Sequence, residues 1–225
     1  MVPDLDFSII LQRWPEFWAG TQATVTYSGI SLILASVIGL LVALARMSRL
    51  APLRWIARGY IDFVRGTPAL VQIFFVYFAL PAIGVNLSAP VAAVIALGIN
   101  SGGYLAEIVR GGIVSVDRGQ GEAARSLGMS KGESMRRIIL PQAVLRVVPA
   151  AAGEFTNLVK GTSLLSTISV MELTRVAQVV VGVTFRPIEA YIAIAIIYFF
   201  LNAVIAQGAI WLERSLMRRQ GLSDA

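Results

Sequence analysis

The residue types that most often carry out catalysis are absent from this chain. Its 225 residues include no histidine and no cysteine. Without histidine it lacks the commonest general base and the usual zinc ligand, so every serine–histidine triad is excluded. Without cysteine it has no disulfides, thiolate metal sites or cysteine nucleophiles. An enzyme of this sequence would need a pair of carboxylates, and the acids in its apolar stretches supply no obvious pair.

Four polar side chains interrupt long apolar stretches and are candidates for a binding role. They are Gln72, Asn100, Glu154 and Lys160. A charge at the centre of a bilayer costs about 2.5–3.5 kcal/mol on insertion scales, so such a residue faces protein or water. Glu154 and Lys160 are about 9 Å apart along a helix and on different faces. We interpret the four as candidates for a substrate pathway; the alternative is a structural ion pair and interhelical hydrogen bonds.

The elements that must position these side chains are membrane-spanning helices. Hydrophobic residues make up 56% of the chain and charged residues only 14%, whereas soluble domains keep roughly a quarter of their residues charged. A bilayer core about 30 Å thick needs roughly 20 apolar helical residues. The sequence therefore predicts an all-α integral membrane protein with five spans, in a single transmembrane domain over 1–225. The predicted spans are residues 27–45, 67–85, 90–109, 147–171 and 190–211.

The N-terminal segment, residues 1–19, precedes the first predicted span. It lacks the basic region of a cleaved signal peptide. It carries Trp14, Phe17 and Trp18 beside Arg13 and Glu16, and such aromatic residues are typical of the membrane interface. We predict that it is an interfacial segment outside the cytoplasm.

Basic residues are concentrated in alternate connections. Fifteen of the nineteen lie after the first span, after the third span or in the C-terminal tail. The positive-inside rule places these regions in the cytoplasm, with the N-terminus outside and the C-terminus inside. The net charge of +6 thus orients the protein, and we predict no nucleic-acid partner.

Small residues recur at helical spacing on two spans. Ser31, Ala35, Gly39 and Ala43 form a stripe on the first span, and Gly98 and Gly102 form another on the third. Such stripes let helices approach closely in lipid. They indicate packing within the chain or, alternatively, a dimer interface.

The longest hydrophilic connection, residues 112–142, has the pattern of two short helices. Helix-forming residues lead to Gly128, a typical helix stop. Ser130 stands three residues before Glu133, which is the spacing of a capping box. A second helix is predicted to start there, with Met135, Ile138 and Ile139 on its apolar side, and to end near Pro141.

This loop carries a spaced signature. Its residues are Gly119, Gln120, Glu122, Ala123, Ala124, Gly128, and then Ile138, Ile139, Leu140 and Pro141. The signature resembles the EAA motif of ABC importer permeases, in the version of the polar amino acid uptake family. The stretches 63–75, 104–112 and 160–164 are also similar to that family, and the similarity covers roughly residues 20–215. Gly121 and Gly161 depart from the family's usual residues.

The resemblance implies a type I importer permease of the MetI-like fold in the bacterial cytoplasmic (inner) membrane. In such importers two permease subunits, either two copies or paralogues, form the path through the bilayer. A dimer of cytoplasmic ATP-binding subunits binds the EAA loops, and an extracytoplasmic binding protein delivers the amino acid. Glu122 would fix the loop, Gly128 would permit its turn and Pro141 would end its second helix. No phosphate-binding loop occurs in the sequence, so no cofactor is expected in this chain, and ATP with Mg²⁺ belongs to the partner.

Four other functions compete with this hypothesis. A permease for another small solute, such as an opine, would share the same architecture. A self-contained secondary transporter usually has more spans and inverted repeats, and the sequence has no internal repeat. The others are a membrane enzyme and a receptor or scaffold that does not transport.

Overall fold

The computed structural model describes residues 5–219, and this part of the chain is helical without strands. Residues 1–4 and 220–225 of the predicted domain lie outside it. Two π-helical turns cover Phe75–Ala79 and Met135–Ile139, and two 3-10 turns cover Leu80–Ile83 and Thr162–Ile168. The α-helices are α1 (Ser8–Gln12), α2 (Trp14–Met47), α3 (Ala51–Gly66), α4 (Ala69–Phe74), α5 (Ala89–Val114), α6 (Arg118–Ser126), α7 (Lys131–Ser134), α8 (Leu140–Gly161), α9 (Leu173–Thr184) and α10 (Pro187–Arg219).

Four helical units of the described residues are long and apolar enough to cross a membrane. They are α2, α5, the continuous unit Lys131–Ile168 and α10. A fifth crossing is obtained if α3 and the following segment, Ala69–Ile83, count as one span, although the two are bent by 109°. The prediction of an all-α protein with five spans agrees with this range of four to five. The second predicted span is short. It consists of α4, the π-helical turn Phe75–Ala79 and the 3-10 turn Leu80–Ile83, which contain 6, 5 and 4 residues.

The first span begins earlier than the sequence predicted. Helix α2 starts at Trp14, so residues 14–19 are continuous with the first span. That the N-terminal segment lies at the membrane interface stays a prediction. Pro15 is compatible with the helix because the first turn needs no N–H donor. The polar residues that follow do not end the helix, because Thr21, Thr24 and Ser28 are buried against protein. Only α1 remains as a separate N-terminal helix.

Small residues join α2 to α5. Ser31, Ala35 and Ala43 are almost fully buried, and a Cβ on Gly39 would lie 2.8 Å from Leu105 Cβ. The matching residue on α5 is Gly102, whose added Cβ would lie 2.8 Å from Ile38 Cγ2. Both predicted stripes therefore serve packing between α2 and α5 within the chain. Helices in lipid associate through close van der Waals contact, because there is no hydrophobic effect between them.

The two ends of the helix bundle differ in charge. At one end, called here the basic end, Arg110 pairs with Glu107 at 2.7 Å and Arg46 and Arg65 lie nearby. The 112–142 loop leaves the bundle at this end, after α5. At the opposite end the backbone N–H of Asp6 donates to Glu189 Oε1 at 3.1 Å. The start of α2 and the start of α10 therefore lie together, far from the loop.

Candidate functional site

Helix α6 of the 112–142 loop is fixed at its N-terminus by Asp117. Its carboxylate accepts a hydrogen bond from the Gly119 N–H at 2.6 Å, as a helix N-cap does. A Cβ on Gly119 would lie only 2.8 Å from Asp117 Oδ1. The glycine that opens the predicted signature therefore allows the cap to approach closely.

The turn between α6 and α7 is the predicted glycine turn. Gly128 has a φ of +85°, a left-handed conformation that glycine adopts without steric cost. Its N–H donates to the Arg125 carbonyl at 2.9 Å, and the Met129 N–H donates to the Ala124 carbonyl at 3.1 Å. This pair of bonds is the Schellman motif, which satisfies the last carbonyls of a helix. The prediction that Gly128 stops the first helix is confirmed.

Helix α7 starts with the predicted capping box. The Glu133 N–H donates to Ser130 Oγ at 3.3 Å, and the Ser130 N–H donates back to Glu133 Oε2 at 3.0 Å. Met135, Ile138 and Ile139 are half-buried whereas Arg136 and Arg137 are exposed. The predicted apolar side of this helix is therefore confirmed as well.

The prediction that this second helix ends near Pro141 was wrong. The chain passes from α7 through the π-helical turn Met135–Ile139 directly into α8. Within this turn the Leu140 N–H donates five residues back, to the Met135 carbonyl. Pro141 stands in the first turn of α8, and the wider turn before it accommodates a residue that has no N–H and whose ring would crowd the preceding turn. The unit Lys131–Ile168 thus joins the loop to the membrane without a break.

The surface of the loop is exposed. Glu122, Ala123 and Arg125 are exposed and Ala124 is buried, while Leu127 at the tip exposes 85% of its surface. The Glu122 carboxylate makes no hydrogen bond or ion pair with any residue in the described range, so it does not fix the loop from within. Gln120 and Leu140 are exposed too. The signature residues therefore divide into a buried or turn-forming set and a set facing outwards.

A groove of about 460 Å³ separates α6 from α7 and the end of α5. Gly121, one of the two departures from the family pattern, lines this groove with Ile139. A Cβ on Gly121 would meet Ile139 Cδ1 at 3.7 Å, an ordinary contact. A bulkier residue therefore fits there, and the glycine does not disturb the loop. Arg146 of α8 donates to the Ser115 carbonyl and ties the base of the loop to the bundle.

Gln72 and Asn100 lie within the bundle and bond to each other. Asn100 Nδ2 donates to Gln72 Oε1 at 3.2 Å. Gln72 Nε2 in turn donates to the Val64 carbonyl at 2.9 Å and to Thr67 Oγ1 at 2.8 Å. Gln72 is 6% exposed. Its amide therefore satisfies backbone groups at the bend between α3 and α4, so the structure gives it a packing role.

Glu154 and Lys160 are not brought together. Glu154 is 8% exposed and lies within hydrogen-bonding reach of Ser101 and Asn157. Lys160 is exposed in the last turn of α8, and the helical unit continues beyond it through the 3-10 turn Thr162–Ile168. Its position near the middle of the fourth span stays a prediction. No ion pair joins the two residues within 5–219.

An exposed polar stripe follows one face of this unit. Asn157 and Lys160 are exposed and three residues apart on one face of α8, and the exposed Gly153 stands one turn before them. Lipid does not solvate such groups, so this stripe faces water or another protein chain. Of the four predicted pathway residues, Lys160 belongs to the stripe and Glu154 lies beside it, next to Asn157.

The sequence predicts only an external connection over residues 172–189. The structure has helix α9 there, with a cap at its N-terminus. The buried Glu172 caps α9 by accepting bonds from the Thr174 N–H at 2.8 Å and the Arg175 N–H at 2.7 Å. Tyr198 of α10 donates to the same carboxylate at 3.0 Å. Burial raises the pKa of the Glu172 carboxyl, because removal from water disfavours its charged form, although these bonds oppose the shift. The sequence signal was an acid directly before an apolar stretch of twelve residues.

No cluster of three or more acidic residues, histidines or cysteines that could hold a metal ion occurs in the part of the chain that the structure describes. The described residues form an apolar helical bundle with an exposed, ordered loop at its basic end and a polar stripe on one helical unit, features that a membrane permease would have. The chain belongs to the family described as the binding-protein-dependent transport system inner membrane component, which it matches over residues 35–218.

Two relatives and one solved structure are similar over nearly the full length. The chain is 42% identical to the probable amino-acid ABC transporter permease protein YckA of Bacillus subtilis, with 88% of each chain covered. It is 35% identical to the nopaline transport system permease protein NocM of Agrobacterium fabrum, with 96% of each covered. A crystal structure described as an amino acid ABC transporter with histidines superposes with a TM-score of 0.90 at 40% identity, covering 94% of this chain and 99% of that one.

Proposed function

We propose that this chain is the permease subunit of an ABC importer that carries a polar amino acid across the bacterial cytoplasmic membrane. ATP hydrolysis takes place in a separate dimer of ATP-binding subunits, which also holds ATP and Mg²⁺. The observation that carries the proposal is the 112–142 loop. It is rigidly capped, it is exposed at its tip, and it continues into the membrane unit through α8.

The loop is the docking element for the ATP-binding subunit. Leu127 supplies an exposed apolar anchor, which a groove on the partner would bury. Glu122 and Arg125 are both exposed. Arg125 Nε donates to the Gly121 carbonyl at 3.2 Å, and its remaining donors, like the Glu122 carboxylate, pair with partner residues. Because α7 continues through the π turn into α8, a movement of the docked loop moves α8 and its polar stripe as one body.

The polar stripe faces a second permease subunit, a copy of this chain or a paralogue. A single chain leaves Asn157 and Lys160 exposed at membrane depth, and two facing stripes would enclose a water-filled path. Lys160 and Glu154 are the residues of this path that interact with the charged groups of an amino acid. Movement of α8 then alternates access to the path between the two sides of the membrane.

The basic end lies in the cytoplasm. This orientation follows the positive-inside rule and puts the docking loop on the side where ATP is available. The N-terminus then lies outside, where the binding protein delivers the substrate, and the C-terminus lies inside. A cysteine introduced at Gly132, which is exposed on the loop, reacts with a membrane-impermeant maleimide only from the cytoplasmic side, and one at Phe7 only from outside. The native chain has no cysteine, so only the introduced one reacts. Labelling from the opposite sides would contradict this orientation.

An opine permease is the second candidate, and the similarity to NocM favours it. The test for both is ATPase stimulation of the reconstituted complex, with its binding protein, by a panel of amino acids and opines. Stimulation by a polar amino acid supports the proposal and stimulation by an opine alone supports the second candidate. No stimulation by any member of the panel would contradict both.

A further inference from the structure

A small basic pocket lies where α2 ends and α3 begins. It is lined by Arg46, Arg54, Trp55 and Arg58 and has a volume of about 150 Å³. Because α2 ends at Met47 and α3 begins at Ala51, a short turn brings the last turn of one helix beside the first turns of the other. Three arginines therefore line one cavity that has room for a small anion.

Contacts within the chain hold the pocket in shape. Arg54 Nη1 donates to the backbone carbonyls of Ser48 at 3.1 Å and Arg49 at 2.8 Å. These bonds clamp the turn between the two helices and fix the direction of the Arg54 side chain. The pocket is therefore preorganised, which lowers the entropic cost of binding.

The acids near the pocket do not neutralise it. Arg58 approaches Asp62 at 3.5 Å, but the two side chains are 57% and 67% exposed, and such an exposed pair is weak. Glu107 lies near Arg46 but is engaged by Arg110 through two bonds, at 2.9 and 2.7 Å. The pocket keeps a net positive charge that an anion would satisfy.

The same turns of α2 and α3 are exposed and apolar. Trp55 and Ile56 expose 70% and 71% of their surfaces, and Leu44 and Leu53 are exposed as well. Helix α3 is bent by 109° from the segment that follows it, so the two do not form one straight span. An amphipathic helix with tryptophan beside arginine is typical of the membrane interface.

We propose that this pocket binds the phosphate of an anionic phospholipid in the cytoplasmic leaflet, whose acyl chains lie along the exposed apolar side chains. Guanidinium groups donate paired hydrogen bonds to phosphate oxygens, and basic pockets between membrane helices on the cytoplasmic side recognise anionic headgroups. A zwitterionic lipid carries a cation next to its phosphate, which three arginines repel. The lipid-binding proposal rests on the orientation given under the proposed function. Because lipid binding is measured without transport, the lipid site and the transport function can fail independently.

The test is native mass spectrometry of the full chain, purified with its ATP-binding subunit. The complex is titrated with phosphatidylglycerol and phosphatidylcholine of identical acyl chains, and the ratio of their binding constants is measured. We expect phosphatidylglycerol to bind more tightly. In Arg46→Gln/Arg58→Gln the ratio falls by on the order of tenfold or more, since each arginine contributes severalfold to binding an anionic lipid. Arg54 is left unchanged because it clamps the turn.

The matched control is Arg214→Gln/Arg218→Gln on α10. It removes the same charge from exposed residues at the C-terminal end of α10, away from the pocket residues in sequence, and we expect it to keep the wild-type ratio. Retention of the ATP-binding subunit shows that both variants are folded. Equal affinity for the two lipids, or an equal loss in the control, would overturn the proposal. Binding of inorganic phosphate together with equal affinity for the two lipids would assign the pocket to a free anion and also overturn it.

Discussion

The 112–142 loop and the region from Lys160 to α9 meet the membrane unit at its two ends, and they are built in different ways. The loop is organised by bonds between residues close in sequence, such as Ser130 with Glu133 and Gly128 with Arg125. The region at the other end is organised by Glu172, whose partner Tyr198 lies on another helix. A local construction suits a rigid element that docks as one piece. The Glu172 network connects α9 to α10, so it can link the movements of these helices at the end of the unit that lines the proposed substrate path.

The largest effect is expected from Gly128→Val, which attacks the local construction directly. A β-branched residue at a φ of +85° is strained by about 1–2 kcal/mol, so the turn would rearrange and α6 would lose its position. We expect uptake and co-purification of the ATP-binding subunit to fall about tenfold or more, with membrane insertion unchanged.

The control for this substitution is Gly132→Val, since Gly132 has open space around an added Cβ and no positive φ. It should dock and transport as the wild type does. Normal co-purification and uptake by Gly128→Val would contradict the role of the loop.

Lys160→Gln probes the other region without touching the loop. Removal of the exposed charge from the polar stripe should lower uptake by about tenfold, equivalent to 1.4 kcal/mol of binding, while the ATP-binding subunit still co-purifies. Lys160→Arg keeps the charge and should retain more of the uptake. If uptake by Lys160→Gln equalled that of the wild type, the lysine would have no place in the path.

Glu172→Ala tests whether the distributed network stabilises the fold. It leaves the two N–H groups of the α9 cap without their acceptor, which costs about 1–3 kcal/mol, and the Tyr198 hydroxyl keeps its threonine neighbours, with Thr174 Oγ1 at 3.2 Å. We expect a lower unfolding temperature in a thermal scan of purified protein, and a smaller decrease for Tyr198→Phe. Tyr191→Phe is the control because Tyr191 is 45% exposed. An unchanged unfolding temperature in Glu172→Ala would show that this network does not stabilise the fold.

Ser130→Ala should have the smallest effect. Loss of one capping bond costs about 1 kcal/mol, and the turn at Gly128 remains to hold α6 and α7 together. A modest fall in docking affinity, measured by titration with the ATP-binding subunit, is the expected result. Ser126→Ala, which removes only a bond to the Glu122 carbonyl, should change nothing. A loss as large as that of Gly128→Val would show that the cap, not the turn, fixes the loop.

The same contrast decides what could be predicted from the sequence. The Gly128 stop, the Ser130 cap and the small-residue stripe were predictable because each depends on residues a few positions apart. The role of Gln72 was not, because its amide bonds to Val64 and Asn100, which only the folded chain brings near. The helix end predicted near Pro141 was wrong for a related reason. A proline usually marks a helix end, but here the π-helical turn Met135–Ile139 accommodates it, and the sequence does not reveal that turn.

Uptake of a radiolabelled polar amino acid into proteoliposomes, in the presence of the binding protein, tests the central claim most directly. The account predicts accumulation only with ATP and the ATP-binding subunit at the loop side, and its loss in Gly128→Val. Accumulation without that subunit would contradict the account and identify a self-contained transporter. No accumulation with all subunits present would leave a docking protein that does not transport.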